Sequence, residues 1–106
     1  MGTFYYSSVL HPPSAEQAEA DLFEINEQLW GDRYTVERIE GLPTTPQDDR
    51  VAMWCFTPPG APDAAFSVIL LKDKRFEFKV PRNQWDKGWH DQQKVRHELT
   101  HRYSAP

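Results

Sequence analysis

One short motif in this sequence has the residue types and the spacing of a zinc site: His97-Glu98-Leu99-Thr100-His101. On a helix, two imidazoles four positions apart lie on one face and can hold a single Zn²⁺ ion, while the glutamate can activate the water bound to that ion. A helical wheel places His97 and His101 about 40° apart, opposite the apolar residues of the same predicted helix. The motif therefore raises the hypothesis of a minimal zinc-dependent hydrolase, with His97 and His101 as metal ligands and Glu98 as the base.

The third ligand of such a site is hard to find in the sequence. Zinc peptidases with this motif usually take it from downstream of the second histidine, but residues 102–106 contain no His, Asp or Glu. His90 lies about 10 Å from His97 along the helix axis, too far for both to bind one ion with bonds of about 2 Å. Upstream candidates for the third ligand are His11 and the Asp48-Asp49 loop, but nothing in the sequence places them near the motif. Three interpretations stay open: a solvated helix face, weak adventitious zinc binding, and a working hydrolase. We favour the first and expect no bound cofactor.

No other set of residues predicts catalysis. Cys55 lies in a predicted strand between Trp54 and Phe56, where we expect a small buried hydrophobe rather than a nucleophile. The five glycines are scattered and form no phosphate-binding loop. A single cysteine also excludes a disulfide framework within the chain, which favours a cytoplasmic location. No stretch of sequence is apolar enough to span a membrane, so we expect no membrane partner.

The elements that must position these residues are predicted in the order β-α-β-β-β-β-α. Aromatic and β-branched content and alternation predict strands at residues 3–10, 34–40, 51–57, 65–71 and 75–80. Two helices are predicted, over residues 14–30 and about 83–103. Their buried stripes are predicted to be Ala18, Leu22, Ile25 and Leu29 in the first, and Trp85, Trp89, Val95, Leu99 and Tyr103 in the second. Short links between the later strands favour an α+β fold, an antiparallel sheet of about 4–5 strands with both helices on one face.

A stretch in the middle of the chain resembles the ubiquitin-conjugating fold. It comprises Trp54-Cys55-Phe56-Thr57-Pro58-Pro59-Gly60-Ala61-Pro62, followed by Phe66 and by Phe76-Glu77-Phe78-Lys79-Val80-Pro81. That family places a proline-rich turn between two strands, after a helix in the position of residues 14–30. No His-Pro-Asn sequence and no cysteine follow Pro81. The resemblance therefore implies an inactive variant that only binds.

Charge is unevenly distributed along the chain, whose formal net charge is −4. Residues 1–63 carry 11 acidic and 3 basic side chains, whereas residues 64–106 carry 5 acidic and 9 basic ones. The first predicted helix has no Lys or Arg, and like charges on one helix repel each other, so its acidity should cost stability. This acidity serves either solubility or the binding of a partner. The five acidic residues are Glu16, Glu19, Asp21, Glu24 and Glu27.

Two aromatic residues, Phe23 and Trp30, lie beside these acidic residues on the flank of the buried stripe. Aromatic side chains supply much of the affinity at protein interfaces, and charges set association rate and specificity. We therefore expect a binding face for a protein with a basic surface. The alternative is that residues 1–13 fold over both aromatic rings and bury them. The predicted protein-binding residues are Glu16, Glu19, Phe23, Glu27 and Trp30.

Basic residues bracket the last predicted hairpin, but the aromatic residues there alternate inward, so we expect a protein rather than a nucleic acid as the partner. The basic residues are Lys72, Lys74, Arg75, Lys79, Arg82 and Lys87.

Length and composition limit the number of domains and the class of protein. The 106 residues suit one domain, residues 1–106, and the 39% hydrophobic and 26% charged content is that of a globular protein. We predict a small acidic protein-binding domain without catalytic activity, an inhibitor, immunity or regulatory protein of bacterial or phage type, by analogy of size and charge. The alternatives are the zinc-dependent hydrolase described above and a nucleic-acid-contacting accessory domain.

Overall fold

The computed structural model describes residues 2–8, 13–40, 49–61, 65–73, 75–81 and 85–104, with side chains described for all of these except 2–8, 81 and 85–89. Its elements follow the predicted order, and the α+β class is confirmed. They are β1 (Gly2–Ser8), α1 (Ala15–Trp30), β2 (Thr35–Arg38), β3 (Arg50–Thr57), β4 (Phe66–Leu71), β5 (Arg75–Pro81) and α2 (Trp85–Ser104).

The five strands form one antiparallel sheet in the order β1-β5-β4-β3-β2. Strands β3, β4 and β5 follow one another as neighbours, which their short connections predict. β1 and β2 lie at opposite edges, so α1 connects one edge of the sheet to the other. The register between β3 and β4 shifts between Arg50 and Ala52, and Val51 is 47% exposed at this irregularity.

The core lies between the sheet and the two helices. Alternate residues of the three central strands belong to this core and are almost fully buried, which the alternating sequence of β5 predicts for that strand. In β4, whose sequence is nearly continuously apolar, Ile69 and Leu71 are buried as well. From α1, the predicted Ala18, Leu22 and Ile25 are buried, and Leu29 is half-buried against the core. The sheet residues of this core include Trp54, Phe56, Phe66, Val68, Leu70, Phe76, Phe78 and Val80.

Helix α2 contributes the predicted Val95, Leu99 and Tyr103 to the same core. The side chains of Trp85 and Trp89, predicted to continue this stripe, lie outside the described residues. Gln92, which interrupts the apolar stripe in sequence, is itself fully buried. In the described part of the chain, neither helix combines the length and the apolarity that a membrane span requires.

Both ends of α1 are fixed by local hydrogen bonds. The Gln17 amide donates to the Ser14 side chain over 3.2 Å, which is the usual capping bond of a serine that precedes a helix. At the other end, Gly31 adopts the left-handed conformation with φ 57°, and its amide donates to the carbonyl of Glu27 over 2.9 Å. Glycine takes this conformation without steric cost, which is why the helix ends here.

Candidate functional site

The acidic residues of α1 divide into two groups, of which one is bound within the protein. Arg102 of α2 reaches this group, since its Nη1 lies 3.5 Å from Asp21 Oδ1 and its Nη2 lies 3.0 Å from Glu24 Oε1. The Tyr103 hydroxyl donates to Asp21 as well. Burial is the main cause that raises the pKa of Tyr103, and this hydrogen bond to the carboxylate raises it further. Asp21 and Glu24 therefore join α1 to α2.

Glu19 is held on the other side of α1. Its Oε1 accepts a hydrogen bond from Trp54 Nε1 over 3.0 Å and lies 3.9 Å from Arg38 Nη1. The Arg38 guanidinium carbon also lies 5.9 Å from the centre of the Trp54 ring, within cation–π range. Because Trp54 is fully buried, Glu19 satisfies the one polar atom that this indole brings into the core.

The expected repulsion within α1 is therefore offset by residues from elsewhere in the chain. Helix α1 contains no Lys or Arg of its own, as its sequence shows. Arg38 from β2 and Arg102 from α2 instead supply positive charge to its carboxylates. Glu24 and Asp21 also accept hydrogen bonds within α1 from Gln28 and Gln17, over 3.3 and 3.1 Å.

The second group of acidic residues lies on the face of α1 that points away from the protein. Glu16, Ala20, Phe23 and Glu27 are all exposed, and their spacing places them along one stripe. We call these four residues the outer face of α1. Phe23 is 47% exposed. Within the described ranges, no hydrogen bond or ion pair engages the side chain of Glu16 or Glu27.

The five predicted binding residues are thus only partly on one surface. Glu16, Phe23 and Glu27 share the outer face of α1, whereas Glu19 makes the internal contacts described above. Trp30 is half-buried against the core, with its ring centre 4.2 Å from that of Tyr34. The alternative in which residues 1–13 bury both aromatic rings depends largely on residues outside the described part of the chain; of the two rings, Phe23 is almost half exposed and Trp30 is half-buried.

Two buried polar residues, Asn26 and Asp91, hold Tyr34 in the segment that follows α1. Neither is among the residues predicted from the sequence to be functional. Asn26 Nδ2 donates to the Tyr34 carbonyl over 2.7 Å, and Asn26 Oδ1 accepts from the Tyr34 amide over 3.3 Å. The Tyr34 hydroxyl donates to Asp91 of α2, and burial together with this hydrogen bond raises the pKa of Tyr34. Asn26 lies next to Ile25 on the edge of the apolar stripe, a position that could have suggested a buried polar role.

The histidines of the zinc motif lie on the outer side of α2. His97 and His101 are exposed, with ring centres 6.5 Å apart and ring planes inclined by 14°. They line one shallow depression with Thr100 and Ser104. The opposite orientation of Leu99 and Tyr103, which are buried, agrees with the helical wheel.

A complete catalytic zinc site is not formed by the described residues. Among them, no three His, Cys, Asp or Glu side chains converge on one point. Glu98 lines a neighbouring depression with His97, Leu29 and His90, and His101 does not line that depression. Of the upstream ligands considered, Asp49 belongs to no such group, and His11 and Asp48 lie outside the described residues.

The remaining chemical candidates are placed as follows. Cys55 is half-buried rather than buried, with its Sγ 3.8 Å from Thr57 Oγ1. In the last hairpin, Arg75 is paired with Asp73 at 2.6 Å, and Phe76 and Phe78 are core residues, as predicted. Such rings cannot stack on exposed bases. The side chains of Lys74, Arg82 and Lys87 lie outside the described residues.

Comparison of the chain with protein-family models, with curated proteins and with solved structures found no match. The resemblance to the ubiquitin-conjugating fold therefore gains no support from these comparisons.

Proposed function

We propose that this chain is a protein-binding domain without catalytic activity, and that it contacts its partner through the outer face of α1. The observation that carries the proposal is the exposure of Phe23, at 47%, between Glu16 and Glu27, two carboxylates that make no hydrogen bond or ion pair with any described residue. The only other large hydrophobic residue exposed to this extent among the described residues is Val51, at the irregularity in β3.

The division of the acidic residues supports a binding role over solubility alone. Glu19, Asp21 and Glu24 stabilise the fold through Trp54 and Arg102. Glu16 and Glu27 have no such contacts with the described part of the chain, and they lie on the stripe that contains the exposed aromatic ring. An aromatic anchor surrounded by charges of one sign suits a partner of the opposite sign, because the ring supplies affinity and the charges accelerate association.

The outer face of α1 is also held rigidly enough to bind at low entropic cost. Its helix is capped at both ends, buries three residues completely and is joined to α2 by Arg102. A surface that is already ordered loses little conformational entropy when a partner binds.

The spacing of the residues on the outer face of α1 indicates which groups the partner surface should carry. Glu16 and Glu27 are separated by eleven residues of helix, or about 16 Å along the axis, with Phe23 between them. We therefore infer a partner surface with an apolar socket for one aromatic ring and basic groups on either side. Consistent with this size and charge, we propose an inhibitor, immunity or regulatory protein acting in the cytoplasm of a bacterium or of a phage-infected cell.

Affinity capture from the native host tests the proposal. The wild-type chain and two variants, Phe23→Ala and Val51→Ala, are immobilised in equal amounts after circular dichroism has shown that they are folded. We expect one protein to be captured stoichiometrically by the wild type and by Val51→Ala but not by Phe23→Ala. Val51 is the matched control because it is equally exposed on a different element.

Capture that is lost with Val51→Ala and retained with Phe23→Ala would place the binding surface on the sheet and refute the assignment to α1. Equal loss with both variants would also contradict it. Turnover of a substrate by the isolated chain would contradict the assignment of a non-catalytic role.

A further inference from the structure

The pair of exposed histidines on α2 has no part in the proposed function. Within the described ranges, no hydrogen bond or ion pair engages either His97 or His101, and the two rings stack on each other. Both rings face the same depression, whose other lining residues, Thr100 and Ser104, are uncharged.

We propose that His97 and His101 form half of a zinc site that a second copy of this chain completes. In this arrangement a two-fold axis passes through the metal ion, and each chain contributes two imidazoles. The Zn²⁺ ion then has four nitrogen ligands, which is the coordination number it adopts in structural sites.

The chemistry of the ligand pair selects the class of metal. Imidazole is a good ligand for Zn²⁺, Cu²⁺ and Ni²⁺, whereas Mg²⁺ and Ca²⁺ prefer oxygen ligands. His101 also lies in the last turn of α2, where the unpaired carbonyl groups of a helix carry partial negative charge and favour a cation.

The geometry allows both rings to reach one ion. Residues four apart on a helix have Cβ atoms about 5–6 Å apart, so both side chains start from positions that a chelate requires. The ring centres are 6.5 Å apart, and bonds of about 2.0–2.1 Å from zinc to nitrogen require them to move closer. Both side chains are exposed, so their rings can approach each other by rotation about side-chain bonds without leaving a packed core.

A second copy supplies the ligands that the described part of this chain does not. The described part of this chain brings no third His, Cys, Asp or Glu to the pair. A two-fold axis supplies two further imidazoles with identical geometry, and such an interface closes on itself as a dimer. All four coordination positions are then occupied by protein, which leaves no position for the water that a zinc hydrolase needs. The proposal thus assigns the motif to assembly instead of catalysis.

Titration of tag-free, metal-free protein with zinc chloride tests the site. Calorimetry should give about half an equivalent of zinc per chain, and light scattering should show a doubling of the mass when zinc is added and its reversal by a chelator. His97→Ala and His101→Ala should each weaken zinc binding at least about tenfold and abolish the dimer. Because both residues are exposed, we expect the circular dichroism spectra of the variants to match that of the wild type.

His90→Ala is the matched control, since it removes an exposed histidine of the same helix that does not line the depression common to His97 and His101. We expect it to bind zinc and dimerise like the wild type. A mass that zinc does not change, one zinc per monomeric chain, or equal loss of binding in His90→Ala would overturn the proposal. Phe23→Ala, which alters the outer face of α1, should dimerise normally, so the two proposed surfaces can fail independently.

Discussion

At the scale of single residues, carboxylates of one helix have different roles that their sequence does not distinguish. Glu19 and Glu27 are both acidic residues of α1, but only Glu19 accepts a hydrogen bond from a buried indole. A helical wheel gives the azimuth of each residue relative to its own helix. It does not show that Trp54, thirty-five positions later, will lie beside Glu19.

Alanine substitution should separate these roles. In Glu19→Ala, the fully buried Trp54 loses the acceptor of its Nε1–H group, and leaving such a donor unsatisfied costs about 1–3 kcal/mol. Glu27→Ala removes an exposed side chain without a partner and should change the free energy of unfolding by less than about 0.5 kcal/mol. Urea denaturation followed by tryptophan fluorescence measures both. Equal stability of the two variants would show that the Trp54–Glu19 hydrogen bond contributes nothing.

At the scale of elements, periodicity predicts which face of each helix is buried but not how the helices are joined. The stripe of Ala18, Leu22 and Ile25 and the alternation in β5 follow from local sequence, and both are confirmed. The contacts between elements are made by polar residues that local patterns leave undetermined. Arg102 meets Asp21 across eighty-one positions of sequence, and Tyr34 meets Asp91 across fifty-seven.

Two contacts between elements, Tyr34 with Asp91 and Tyr103 with Asp21, should make the folded chain lose stability at high pH. The pKa values of Tyr34 and Tyr103 are raised in the folded chain, chiefly by burial and then by their hydrogen bonds to Asp91 and Asp21. An unfolded tyrosine ionises at a pKa of about 10, so the stabilising contribution is complete below that pH and is lost progressively as the pH rises above it. Each tyrosine should cost up to about 1.4 kcal/mol per pH unit in this range.

The measurement is the free energy of unfolding of the wild type and of the Tyr34→Phe and Tyr103→Phe variants between about pH 8 and about pH 11. The phenylalanine variants should be less stable near neutral pH, because Asp91 or Asp21 loses a donor, and should show a shallower decline at high pH. Identical slopes for all three proteins would mean that neither hydroxyl is protected from ionisation by the fold.

At the scale of the whole molecule, contacts with the rest of the chain engage some carboxylates of α1 and leave others exposed. The imbalance between the acidic first part of the chain and the basic second part is visible in the sequence. In the structure, Arg102 from the basic part neutralises carboxylates on the side of α1 that meets α2. Glu16 and Glu27 stay exposed beside Phe23 on the outer face, without a hydrogen bond or ion pair to any described residue, a result that composition alone does not specify.

This arrangement predicts how charge should act on association with the captured partner. The carboxylates to remove are Glu16 and Glu27, because replacing Glu19 or Glu24 would also disturb contacts within the fold. The double variant Glu16→Gln/Glu27→Gln should lower the association rate constant severalfold at low salt. It should also flatten the dependence of that rate on ionic strength, since fewer charges are left to be screened. The dissociation rate should change much less, because Phe23 still anchors the complex.

A second double variant, Glu37→Gln/Glu40→Gln, provides the control for net charge. It removes the same two charges from exposed positions in and just after β2, away from the outer face of α1. If the outer face binds the partner, surface plasmon resonance over a range of salt concentrations should show wild-type association for this control. Equal slowing by both double variants would mean that the total charge of the chain attracts the partner, and Glu16 and Glu27 would then have no special place in recognition. Slowing by the control alone would move the binding surface to the β2 edge of the sheet.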